Sequence, residues 1–208
     1  MEQKVWAAPS GFVFALAGAE SSMHLLRDRL LATTFAATNQ HELRDEIGAL
    51  AVDVLGKEYA RVTAVLGSPS FDHFPAAEAI IGAYLGGPCL YHVNSLATVT
   101  MCTGDFVAAG SGGDFAVQAA GVFESLRQRP LTLFQTRLMA FRVVQAAITI
   151  AGPNTAIGGP IQLATVGWSG AVPVATLLGS NEQVTVDAVD EWTQLEADRF
   201  QLQAPPTP

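Results

Sequence analysis

Two periodicities take turns along this chain, and their order constrains the fold more than any single motif does. Short apolar runs bounded by Gly, Pro and Asn alternate with pairs of longer segments in which apolar residues recur every three or four positions. The first pattern suits strands and the second suits amphipathic helices. Residues 5–17 carry apolar runs on either side of Pro9-Ser10-Gly11, which predicts a hairpin whose second strand, 12–17, is buried on both faces. Ser21 or Ser22 is placed to cap a helix bearing Met23, Leu26, Leu30 and Phe35 near one face. A second helix opens at Asn39, with Glu42 as capping-box partner and Leu43, Ile47, Leu50, Val54 and Leu55 on its apolar stripe. Gly56 is a candidate for its end or an interruption.

The middle third reads as antiparallel strands at 80–85, 90–93, 97–101 and 106–109. Gly110-Ser111-Gly112-Gly113 follows, and Asp114 is placed to cap a helix to about residue 126, with another helix over 131–150. A strand at 161–166 comes next, with weaker strand signals at 184–189. Strand runs separated by helix pairs predict an α+β fold, with helices on both faces of stacked antiparallel sheets. They argue against the one-to-one alternation of a doubly wound parallel sheet. The expected unit is a single domain over 1–203, and Ala204-Pro205-Pro206-Thr207-Pro208 reads as a frayed tail.

Composition narrows the function classes. The 208 residues are 50% hydrophobic and 14% charged, ample for a core and unlike a disordered chain. A net charge of −8, with scattered basic residues, argues against nucleic-acid binding. Gly, Pro or charge interrupts every apolar stretch before about 18 residues, so no membrane span is expected, and the start lacks a signal-peptide pattern. A cytoplasmic location follows as the expectation. So apolar a chain also predicts surface hidden against sister subunits.

Individual candidates have plain readings. Cys89 and Cys102 suit buried free thiols, and His24, His41, His73 and His92 show no metal-ligand spacing, so no metal and no cofactor are expected. The Gly110–Gly113 stretch is positioned to meet a phosphate at a helix N-terminus. It fits neither the P-loop nor the dinucleotide fingerprint, and Asp114 would repel an anion.

Three local patterns, in order and spanning almost the whole chain, carry a family resemblance. Lys4-Val5-Trp6 leads through the hairpin to Leu16-Ala17-Gly18; Ala109-Gly110-Ser111-Gly112-Gly113 precedes a helix; Asn154-Thr155-Ala156-Ile157-Gly158-Gly159-Pro160-Ile161 precedes a strand. Together these resemble proteasome β-type subunits and their bacterial relatives, which are N-terminal-nucleophile hydrolases. The resemblance implies a four-layer αββα sandwich, here lacking its first strands, and a homo- or hetero-oligomeric ring acting on peptide substrates.

By that resemblance Lys4 matches the lysine beside the N-terminal threonine, where a cation assists the nucleophile. Gly18 matches the glycine whose N–H serves the oxyanion hole. Ser111 matches a serine near the nucleophile's amine, Asn154 stands where the family has an aspartate, and Leu16 and Glu20 match substrate-pocket positions. Ile157 replaces a serine or threonine. Only Met1, Glu2 and Gln3 precede Lys4, so the family's nucleophile and the lysine's acidic partner have no counterpart here. The expectation is a truncated chain, inert as a threonine-type peptidase. A non-catalytic ring subunit of the same fold is the alternative, and a small-ligand-binding α+β domain stands as a reading from another class.

Overall fold

The computed structural model describes residues 3–67, 76–104, 106–124, 132–152, 161–170 and 172–178. The predicted hairpin forms: β1 (Val5–Ala7) pairs antiparallel with β2 (Val13–Gly18), with Trp6 across from Phe14. The turn closes through the Gly11 N–H to the Ala8 carbonyl at 3.0 Å. The chain then runs into α1 (Glu20–Leu31) and α2 (Gln40–Leu66). Next come β3 (Ala77–Tyr84), β4 (Pro88–Val93) and β5 (Val99–Met101). With β1 and β2 these make a five-stranded antiparallel sheet in the order β1-β2-β3-β4-β5. The helices α3 (Gly113–Glu124) and α4 (Leu133–Ala151) follow, then a two-stranded sheet of β6 (Leu163–Ser169) and β7 (Val172–Leu178).

Strand alternation divides the five-stranded sheet into two faces. One presents Phe14, Leu16, Ala79, Ile81, Tyr91 and Val93, all buried, to Met23, Leu26 and Leu30 of α1 and to Leu43, Ile47, Leu50 and Leu55 of α2. The other carries Val13, Ala15, Glu78, Ile80 and His92. The β6-β7 pair touches β1, β2 and β3, and α4 in turn touches β6. Tyr84 meets Trp168 with ring centroids 5.3 Å apart, and Arg137 Nη2 of α4 donates to Thr165 Oγ1 of β6 at 3.2 Å. The chain is therefore α+β with antiparallel sheets.

Several elements differ in detail from the sequence reading. Helix α1 begins before Ser21: Ala19 is its N-cap and makes no side-chain cap bond, while its N–H donates to the Ala76 carbonyl at 2.7 Å. That bond ties the start of α1 to the backbone that leads into β3. Asn39 caps α2 as expected, accepting from the His41 and Glu42 amides at 3.1 and 3.0 Å. The Glu42 carboxylate instead reaches one residue further back, to the Thr38 N–H and hydroxyl, both at 2.8 Å. Gly56 neither ends nor breaks α2, which continues to Leu66.

Asp114 lies in the first turn of α3 rather than at its cap. Residues 106–109 form no strand; the β5 ladder ends with the Cys102 N–H on the Leu90 carbonyl, and Phe106 stays exposed. Helix α4 has a capping box the sequence reading passed over: Thr132 accepts from the Gln135 N–H, and the Gln135 side chain accepts from the Thr132 N–H. Strand β7 was likewise passed over, and the signal at 184–189 lies outside the described residues, as does the tail.

Candidate functional site

The site is built where β2 ends. Gly18 has φ +125°, and a Cβ there would run into the Ala76 carbonyl, so only glycine suits this backbone. The strand turns at once into α1, which leaves Gly18 exposed. In the β2 ladder the Leu16 N–H donates to the Lys4 carbonyl at 3.0 Å. By strand alternation the Gly18 N–H points to the same side of β2, the side that faces β1.

A second segment reaches this strand end from far along the chain. Gly110 has φ +79°, and a Cβ on it would lie 2.7 Å from the Ala17 Cβ. The absence of a side chain lets the Gly110–Ser111 turn lie against β2. Its position is held by the Gly110 N–H, which donates to Glu78 Oε2 at 3.0 Å, and by the Gly113 N–H on the Gly110 carbonyl at 2.9 Å. Ser111 is exposed at the tip.

Lys4, Gly18 and Ser111 are thus drawn toward one end of the sheet, by β1-β2 pairing and by the Gly110 contact. Lys4 is exposed, and its N–H and that of Val5 donate to Gln162 Oε1 at 2.7 and 3.1 Å, fixing the start of β1. Leu16 is placed differently: it is 3% exposed and belongs to the core under α1 and α2. Glu20 is exposed in the first turn of α1, where a carboxylate suits the helix N-terminus. Asn154 lies outside the described residues.

Two site residues escaped the sequence reading. Glu78 sits on the sheet face that also carries Ile80, and its side chain is 32% exposed; His92, on the same face, is 26% exposed. His92 Nε2 is buried without a hydrogen-bond partner and lies 3.9 Å from Glu78 Oε2. The signal was present in the parity: a carboxylate within an otherwise apolar strand run needs a partner if its face is covered. Cys102 follows β5, and burial pushes its thiol above the ordinary range, which disfavours a nucleophilic thiolate. Among the described residues no group of three or more His, Cys, Asp or Glu could hold a metal ion, and no helix is long and apolar enough to cross a membrane.

No family model and no curated protein matches the chain. Solved structures do. The Anbu complex from Pseudomonas aeruginosa, described as a helical assembly, superposes with a TM-score of 0.62 at 16% identity, over 100% of this chain and 87% of that one. Anbu, the ancestral beta-subunit, from Yersinia bercovieri gives 0.59 at 12% identity over the same shares. These likenesses correct the family resemblance drawn from the sequence. The neighbours are Anbu proteins, proteasome-like but distinct from the β-type subunits, and no family model supports the β-type assignment. The patterns around Gly18 and Gly110 report tight backbone turns, and such turns do not identify a family.

Proposed function

We propose that this chain is a subunit of an oligomeric assembly resembling that of Anbu, built as a four-layer αββα sandwich. The observation that carries the reading is the fold likeness over 100% of the chain to a protein described as a helical assembly. The order of contacts supports the layering: α1 and α2 on one face of the large sheet, β6-β7 against the other, and α4 beyond β6. Exposed Leu25, Val52, Tyr59 and Val65 on the first helix pair, and Val117, Val144 and Ile150 on the second, leave apolar surface for neighbouring copies.

The same reading gives the Lys4–Gly18–Ser111 end of the sheet to an extended peptide backbone. It offers a side-chain-free glycine backbone and a turn hydroxyl, which suit carbonyl groups, with the Lys4 cation at the same strand end but level with Leu16. These groups bind and polarise; none is a nucleophile paired with a base in the manner of a hydrolytic centre. The test is mass photometry with negative-stain microscopy of the 208-residue chain, alongside a fluorogenic peptide assay. Closed or helical multi-subunit particles without peptide turnover are expected. A monomer at micromolar concentration would sink the assembly reading, and turnover would replace the binding role with a peptidase.

A further inference from the structure

We propose that Glu78 is a positioning residue for the turn that carries Ser111, and that the charge on His92 sets how firmly it holds. The inference rests on the peptide-site reading only for its consequence; the device itself stands on geometry. The Gly110 N–H and His92 Nε2 address the same atom, Glu78 Oε2, at 3.0 and 3.9 Å. The first distance is a hydrogen bond and the second is not. His92 Nε2 is buried with nothing else to bond, so its state matters to this one oxygen.

With His92 neutral, Glu78 serves the turn alone. Protonation places a cationic donor within about an ångström of hydrogen-bonding distance, and charge-assisted bonds to a carboxylate are roughly twice as strong as neutral ones. The carboxylate is then drawn toward β4 and away from Gly110. The turn has no other described tie to the sheet beyond the close Gly110–Ala17 approach, so Ser111 gains freedom relative to Gly18 as pH falls.

Few other charges face this pair. On β5 the residue across from His92 is Thr100, and just beyond the strand is Cys102, whose thiol burial keeps neutral. Residues 13–18 of β2 and 106–112 of the turn segment have no titratable side chain, and neither do β6 and β7. Asp114 is exposed on α3, and the charged residues of α2 lie across the sheet. Lys4 and Glu20, both exposed, flank the β2 end.

Hydrogen–deuterium exchange of the full chain, read as protection factors for residues 106–113, tests this. Glu78→Gln lowers protection there about tenfold at pH 8, while fragments holding Phe14 and Ile81 keep theirs. The unsubstituted protein loses protection in 106–113 as it is acidified, and His92→Asn abolishes that pH dependence. Unchanged protection in Glu78→Gln, or a pH response that survives His92→Asn, overturns the proposal. Adding a capped pentaalanine peptide separates the two readings. Protection gained at residues 16–19 supports the peptide site whatever the turn does, and no gain there sinks that site while leaving the Glu78 device to its own result.

Discussion

The hydroxyl of Tyr91, in the middle of β4, donates to the carbonyl of Gln40, in the first turn of α2, at 2.8 Å. Tyr91 has no exposed surface, so this bond pins the sheet to the start of α2 inside the core. Burial also drives its phenol well above the ordinary tyrosine value, with the neighbouring Cys89 thiol contributing. Tyr91→Phe removes the donor and keeps the ring; a cost of about 1–2 kcal/mol is expected in denaturant unfolding. A phenol raised on folding contributes stability that is fully present below its ordinary value of 10.0 and lost as pH rises beyond it. The alkaline limb of a stability profile should therefore be shallower in Tyr91→Phe than in the unsubstituted protein. Equal limbs would remove Tyr91 as its source.

Gly18→Ala tests the strand end. The substitution forces either φ away from +125° or Ala76 away from β2, and left-handed strain alone costs about 1–3 kcal/mol. Thermal melting should fall accordingly, and Gly56→Ala, on open helix surface with nothing near its Cβ, should raise stability by up to about 1 kcal/mol. A Gly18→Ala protein as stable as its parent would show that the β2–α1 corner yields easily.

Glu58 and Arg61 give an acid-side prediction. Glu58 is buried, and Arg61 Nε and Nη2 donate to its two oxygens at 2.8 and 2.7 Å. Those bonds, more than burial opposes them, hold the carboxyl below its ordinary 4.5, with Ser21 adding a smaller pull. A carboxyl lowered on folding gives stability that is present above pH 4.5 and lost as pH falls through the lower, folded value. Glu58→Gln should flatten the acid limb of unfolding below pH 4.5. Arg61→Ala, which leaves a buried carboxylate short of donors, should cost about 1.5–3 kcal/mol at pH 7. An acid limb unchanged by Glu58→Gln would assign acid unfolding to other carboxylates.

Much of the element order was legible because it is written in neighbours a few residues apart. Asn39 announces α2 through amides two and three residues on, and Pro9-Ser10-Gly11 announces the β1-β2 hairpin. Strand β7 was missed because Gly170 and Pro173 interrupt its apolar run; among the described residues β7 pairs with β6 alone, so Pro173 removes little pairing. The 106–109 run has strand propensity, yet no strand lies beside it to complete a ladder among the described residues.

By itself, the sequence determined the fold class, the helix at Asn39, the strands of the central meander and the glycines that permit tight approach. Tertiary structure alone decided that Gly110 meets Glu78 across 32 residues, that Tyr91 meets Gln40 across 51, and that Gln162 closes the start of β1 across 157. It also decided that Leu16 faces the helices. The physical reason is range. Hydrophobic period and capping record what a residue does within one turn or one pleat, whereas the partner of a buried polar atom depends on which distant segment the packed layers bring against it.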